Sequence, residues 1–293
     1  MDIDPALVTE EHKRQVESVR VEPDPPADFE DFWRGTLAAL NEVPLNLSIE
    51  RLDSDSGEED VWLGVWRADS LDGRRVAGPI SVPKRPTGAC WVYGHGYGSI
   101  QGGCGWRADL ARQGFIAVGC DARGYNRSRV EGDPGVPGWA THGVDDRERY
   151  ILRGAIADTI RTVQVARAIE GADPDRTILT GGSFSGGTAV LAAPWIEGLR
   201  YVAVRVPTFG AYDLRRTLVK RGSGAEINGL MGRLDEHGQK ALRDTLRYFD
   251  SVNAAAFIRS VPVTVGLGVS DAVVPGETVA AIYHALATDD KEL

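Results

Sequence analysis

Residues 175–187 read DRTILTGGSFSGG, from Asp175 to Gly187, and their order decides the fold. Ile178, Leu179 and Thr180 form a short, largely apolar run of the kind that suits a buried strand. Thr188 to Trp195 continue as an apolar helix, so the glycines between them mark a strand–turn–helix junction with Ser183 at its tip. A serine hydroxyl is a poor nucleophile until a fold exposes it and a base removes its proton. A sharp elbow of this type achieves the exposure. Such a turn needs tiny flanking residues: Gly181 lies two before Ser183, and Ser185 stands two after it, where glycine is usual. Gly186 and Gly187 let the helix pack close to the strand. A purely structural turn is the alternative reading.

Outward from the elbow, residues 89 onward alternate strand and helix. Cys90–Tyr93 and Phe115–Cys120 read as strands, with a helix over Trp106–Gln113 that Gly114 ends. A long loop containing DARGYNRS and EGDPGVPGW leads to a helix whose Leu152, Ile156, Ile160 and Val163 share a face, with Asp145 or Asp146 serving its N-terminus. Tyr201–Val206 and Val263–Gly268 are the next strands, and Glu277–Ala287 the last helix. Upstream, Leu47–Leu52, Val61–Ala68 and Arg75–Pro83, joined by DSDSGEED and LDG, predict antiparallel strands at one side of the sheet. Residues 1–45 read as a surface arm and a helix, FEDFWRGTLAALNEV, that Asp28 can cap. Residues 208–250 are helical but polar and irregular, a cap-like insertion over the site. The expectation is an α/β fold with a mostly parallel sheet covered by helices on both faces, in one domain over residues 1–293.

Composition narrows the function. A charged fraction of 26% beside 42% hydrophobic residues is that of an ordinary globular protein, and 293 residues suffice for a large core. The net charge of −9 argues against a nucleic-acid or anionic-membrane surface. The start, MDIDPALVTEEHKRQ, has no basic-then-apolar leader, and no apolar run approaches a membrane span. Cys90, Cys104 and Cys120 form no C-x-x-C pair, and Cys90 and Cys120 sit in strand-like runs, as small core residues do. A cytoplasmic, reduced protein is expected, with no metal and no organic cofactor.

Ligands of such sheets sit beyond the carboxyl ends of the strands. The segment after Cys90–Tyr93 is GHGYGSIQGG, whose spacing does not fit a dinucleotide loop. A nucleophilic serine needs two backbone N–H donors aimed at the developing oxyanion. Phe184, next to Ser183, can supply one and Tyr97 the other, with a flexible turn as the alternative for the second loop. Asp271 follows the strand VPVTVGLGV, where this architecture holds the acid that orients a catalytic histidine; a turn-capping role before Pro275 is the alternative. Of the five histidines only His284 comes later, in mid-helix. His95 reads as an oriented structural imidazole, His142 sits in a loop, and His12 and His237 lie in polar stretches. None has the context of a base.

The chain resembles the acetyl xylan esterase / cephalosporin C deacetylase family of α/β-hydrolases, serine esterases of small acetyl esters. The likeness runs almost end to end: DFEDFWRGTLAALNEVPLN, GHGYG, Arg123-Gly124-Tyr125, GWATHGVDDRERYILRGAIADTIRTVQVA, DRTILTGGSFSGG, LRYFDSVNAAAFIRSVPV and GLGVSDAVVPGETVAAIYHAL. It implies an α/β-hydrolase fold, Ser183 as nucleophile, Asp271 as triad acid and the amides of Tyr97 and Phe184 as oxyanion donors. It also implies a small acetylated ester as substrate, acetyl sugars among them, and a ring-like homo-oligomer, commonly a hexamer. Three positions depart from the pattern. Phe184 and Ser185 stand where the family has Gln and Gly, and Tyr125 where it has Gln. Both amide positions turn aromatic, which predicts that the two rings touch, within about 7 Å. Finally, family members continue past Lys291-Glu292-Leu293 into a strand, an H-E turn bearing the triad histidine, and a helix. The expectation is therefore a chain lacking the final strand and helix and the catalytic histidine, favouring a truncated gene product. The alternative is a catalytically inactive hydrolase-fold binding or assembly protein; a peptidase or lipase-like esterase fits the likeness less well.

Overall fold

The computed structural model describes residues 9–52 and 60–293, so nearly all of the acidic turn 53–60 lies outside the described residues. In chain order the elements are α1 (Glu10–Glu17), α2 (Phe29–Asn41), β1 (Ser48–Arg51), β2 (Val61–Asp69), β3 (Arg75–Pro83), β4 (Cys90–Gly94), α3 (Ala108–Arg112), β5 (Ile116–Cys120), α4 (Ile151–Arg167), β6 (Thr177–Gly182), α5 (Phe184–Ala192), β7 (Leu199–Arg205), α6 (Tyr212–Leu218), α7 (Gly222–Met231), α8 (Glu236–Leu246), α9 (Ser251–Ala255), β8 (Val263–Gly266), α10 (Gly276–Ala285) and β9 (Lys291–Glu292). The strands form one sheet in the order β1-β2-β3-β5-β4-β6-β7-β8-β9. β1 to β3 pair antiparallel, as their alternation predicts, and β3 meets β5 antiparallel at Ile80 and Val118. From β5 to β9 every pairing is parallel.

β4 is the switch in this order: the chain leaves it on one side for β5 and reaches β6 on the other. Ligands of open α/β sheets gather at such a point. Successive β4 side chains face opposite ways. Cys90 and Val92 enter the main core, which α4 lines with Leu152, Ile156 and Val163. Tyr93 and Trp91 join Leu110 of α3 in a smaller cluster on the other face. Helices therefore cover both faces. Cys90, Cys104 and Cys120 are buried free thiols. No helix among the described residues is long and apolar enough to cross a membrane.

The triplet Arg123-Gly124-Tyr125 is anchored from below. Asp158 of α4 is fully buried, and its carboxylate takes the Arg123 guanidinium at two points, both 3.0 Å. Arg123 also donates to Leu71 O and Asp72, while Ser70 Oγ and the Arg123 amide donate to Asp158. A Cβ on Gly154 would fall 2.0 Å from Arg123 Cζ, so α4 must carry glycine there.

Local readings are amended in four places. Asp28 precedes α2 but makes no side-chain cap bond; its carboxylate instead binds Tyr248 Oη and Arg147, partners far along the chain. Neither Asp145 nor Asp146 reaches α4, because Asp146 caps its own turn through the Glu148 amide. The helix expected from Trp106 starts at Ala108, since the Trp106 indole is held by Gly64 O at 2.8 Å. Nor is the edge at β8 bare, as the expected lack of a final strand requires. Lys291 and Glu292 pair with Val263 and Thr264, because the parallel ladder still offers β8 backbone groups there.

Candidate active site

Ser183 sits between β6 and α5 at φ 54°, ψ −113°, a conformation that a residue with a Cβ adopts only under constraint. The constraint comes from both sides. Its amide donates to Arg205 O of β7 at 2.9 Å, and its carbonyl accepts from Gly187 at 3.0 Å and Thr208 at 3.2 Å. A Cβ on Gly181 would meet Ser185 O at 2.3 Å, and one on Gly94 would meet Ser185 Cβ at 2.6 Å. Smallness at these positions is thus imposed by the crossing of β4, β6 and α5. Ser183 is half-buried, and its Oγ has no hydrogen-bond partner among the described residues.

Ser185 explains its own presence. Its buried hydroxyl accepts from the Gly182 amide at 3.0 Å and donates to Gly182 O at 3.1 Å, closing the elbow with a side chain where glycine would leave it open. It is a structural serine.

The two amides expected to serve Ser183 are unspent. Phe184 N–H opens α5, and Tyr97 N–H belongs to the loop after β4; neither finds an acceptor among the described residues. His95 fixes that loop. Its carbonyl accepts from the Ser185 amide at 3.2 Å, its Nε2 accepts from Ala122 N at 3.2 Å, and its Nδ1–H donates to Gly96 O at 3.0 Å. Burial pushes its pKa down, so the imidazole is neutral with both nitrogens committed. It is the structural imidazole that the sequence suggests.

The Phe184 ring contacts Tyr125 at 5.5 Å between centroids, which bears out the paired aromatic replacement. His95, Trp139, Tyr97 and Phe209 surround the same ring at 5.0–6.0 Å. Tyr125 Oη is buried without a hydrogen bond among the described residues, and burial pushes its pKa up.

Asp271 lies on the turn after β8. Its Oδ1 accepts from the amides of Val273 and Val274 at 2.8 and 2.9 Å, while Oδ2 has no partner among the described residues. The turn-capping role is therefore real, and it leaves one oxygen available. β7 separates β6 from β8, which spaces their ends by roughly 10 Å. No histidine bonds to Asp271 or Ser183 among the described residues. His284 Nε2 lies 2.8 Å from Glu17 O, on the N-terminal arm.

The sequence profile of the family described as acetyl xylan esterase (AXE1) matches residues 12–293. The chain belongs to the acetyl xylan esterase family. Acetyl xylan esterases are esterases on the α/β-hydrolase fold, and the solved relatives agree with the sheet described above. Acetyl xylan esterase 1 from Thermoanaerobacterium sp. JW/SL YS485 superposes with a TM-score of 0.85 at 21% identity, over 100% of this chain and 91% of that one. The acetyl xylan esterase from Paenibacillus sp. R4 gives 0.84 at 27% identity, over 95% and 90%. The acetyl esterase Axe7A of Xylanibacter ruminicola is 22% identical over 282 residues, and the matched part is 62% of its length.

One residue of this acetyl xylan esterase family member escapes sequence reading. Glu226 of α7, inside the helical insertion, accepts from Tyr97 Oη at 2.8 Å with Oε1 and from Gly138 N at 2.8 Å with Oε2. Ala140 N completes the Tyr97 hydroxyl's partners at 3.1 Å. Burial first, and Glu226 next, hold that phenol far above its usual pKa. The insertion is thereby tied to the loop that carries the Tyr97 amide. No motif marks Glu226; a lone acid in a polar stretch carries no local signal.

Proposed function

We propose that this chain is a serine acetyl esterase acting on small acetylated sugars or related esters. The observation that carries the reading is an unpartnered hydroxyl on a strained elbow beside the two unspent amides of Phe184 and Tyr97. Ser183 Oγ attacks the acetyl carbonyl carbon, and the two N–H groups receive the oxygen as it becomes an anion. Collapse expels the sugar oxygen and leaves an acetyl-enzyme, which water cleaves to acetate. The serine proton needs a base, and the free Oδ2 of Asp271 supports its reading as the triad acid that would orient an imidazole. The described histidines do not occupy that place. Without a base such a site keeps about 10³–10⁴ over water and loses on the order of 10⁶ in kcat. The second reading is a non-catalytic hydrolase-fold binding or assembly protein.

One experiment decides between them. The protein is mixed with 4-nitrophenyl acetate and increasing free imidazole, and Ser183→Ala is treated in the same way. The esterase reading expects imidazole to accelerate hydrolysis by the wild type more than by Ser183→Ala, with acetyl found on Ser183 by mass spectrometry. Equal rates at every imidazole concentration, with no acetylated Ser183, overturn it in favour of the second. The same proposal takes residues 1–293 as one domain with 208–250 as its cap. It extends to a cytoplasmic homo-oligomer, a hexamer by family likeness. Three buried free thiols support a reducing compartment, and sedimentation velocity tests the assembly.

A further inference from the structure

Between the N-terminal arm and helices α6–α8 lies a cavity of about 360 Å³, with an apolar wall that includes Leu214, Ile227 and Met231 and a rim of charged side chains. Arg215 lines it and is 3% exposed. Its guanidinium makes one hydrogen bond, from Nη2 to Ser223 Oγ at 3.2 Å, and lies 5.9 Å from the Phe209 ring centroid, while Nε and Nη1 are buried without a hydrogen-bond partner among the described residues. Arg215 has no ion pair among the described residues. Asp250 is in the same wall, but its Oδ1 is taken by the amides of Ala211 and Val252 and its Oδ2 by that of Tyr212. Tyr212 Oη, in the same lining, is likewise buried and unpartnered.

Buried polar groups without a partner are rare, and a buried unpaired charge costs far more than a neutral one. Water can satisfy a hydroxyl; it does not neutralise a guanidinium. We propose that this cavity binds a small organic carboxylate, its anion on Arg215 and Tyr212 and its hydrocarbon body against Leu214, Ile227 and Met231. The charge balance favours a monoanion over phosphate. Arg215 is the one buried cation of the cavity; in its wall Lys240, Arg247 and Arg243 face Asp244 at 2.6 Å, Asp24 at 2.9 Å and Asp213 at 3.9 Å, and Arg216 is solvent-exposed. A dianion on Arg215 would meet a single buried neutralising charge beside the Asp250 carboxylate. The site is separate from Ser183 and does not rest on the esterase reading.

Isothermal titration of the whole chain with hexanoate, beside inorganic phosphate, tests it. The expected result is saturable single-site binding of hexanoate. Arg215→Met should weaken it by at least about thirtyfold. Tyr212→Phe should weaken it by about five- to tenfold, since one hydrogen bond to a charged group is lost. Tyr212→Phe removes no bond from the free protein, so it decides the matter if Arg215→Met does not fold. Absence of saturable hexanoate binding, affinity unchanged by the folded substitutions, or tighter binding of phosphate than of hexanoate overturns the proposal.

Discussion

Arg123 and Arg215 are both buried guanidinium groups, 6% and 3% exposed, yet they stand in opposite conditions. Beneath the elbow, Arg123 meets Asp158 at two points and spends further N–H groups on Leu71 O and Asp72. In the helical insertion, Arg215 has one neutral hydroxyl. The first region is a closed arrangement whose charges cancel within the fold, and it supports the ring cluster under Phe184. The second keeps a cation in readiness. A buried charge is structural where its partners are built in; where they are missing, the fold is arranged around something else.

The same substitution separates the two regions. Arg123→Met strands the fully buried Asp158 carboxylate and should cost about 3–5 kcal/mol in urea unfolding. Arg215→Met, with no ligand present, should stay within about 1 kcal/mol of wild type or exceed it, because it removes a charge that has no ionic partner. Equal losses would break the comparison.

Asp250 sharpens it through pH. Burial raises its pKa from 3.8 to about 6, against the opposing pull of three backbone amides and Arg215. A carboxyl with a raised native pKa contributes stability that is full below about 4 and is lost as pH rises through about 6, roughly 3 kcal/mol in all. Asp250→Asn lacks this proton, so its unfolding free energy should fall less steeply than that of wild type between those values. It should still be less stable overall, because an amide donor faces the backbone N–H groups. Parallel pH profiles would show that Asp250 does not titrate in that window.

Glu226 joins the regions, and its replacement should be milder. In Glu226→Gln one acceptor is lost, so either the Tyr97 hydroxyl or the Gly138 amide goes unpaired, at about 1–2 kcal/mol. If the Tyr97 amide receives the oxyanion, the imidazole-assisted, Ser183-dependent rate should drop about tenfold in kcat with little change in KM. A change confined to KM would instead place Glu226 in substrate binding.

Much of the fold was legible because its cues are local. Apolar runs such as Ile178–Thr180 announced the parallel strands, and the glycines about Ser183 announced the elbow. The pairing of Phe184 with Tyr125 could be read from two coordinated departures from a pattern. What stayed hidden depends on distant partners. Asp28 looks like a cap, and only the tertiary fold delivers Tyr248 and Arg147 to it. Trp106 looks helical until Gly64 claims its indole. Glu226 and Arg215 lie in a polar, irregular insertion, where periodicity says nothing about which side chains turn inward.

The backbone at Ser183 bears on why the residue is there at all. At φ 54° an L side chain crowds its own peptide, and glycine would not. Ser183→Gly should therefore be more stable than Ser183→Ala by about 1 kcal/mol, both lacking the hydroxyl. A chain shaped by architecture alone has every mechanical incentive to relax this bend to glycine; an oxygen atom held there against that incentive is what the proposed ester-cleaving role asks of the position.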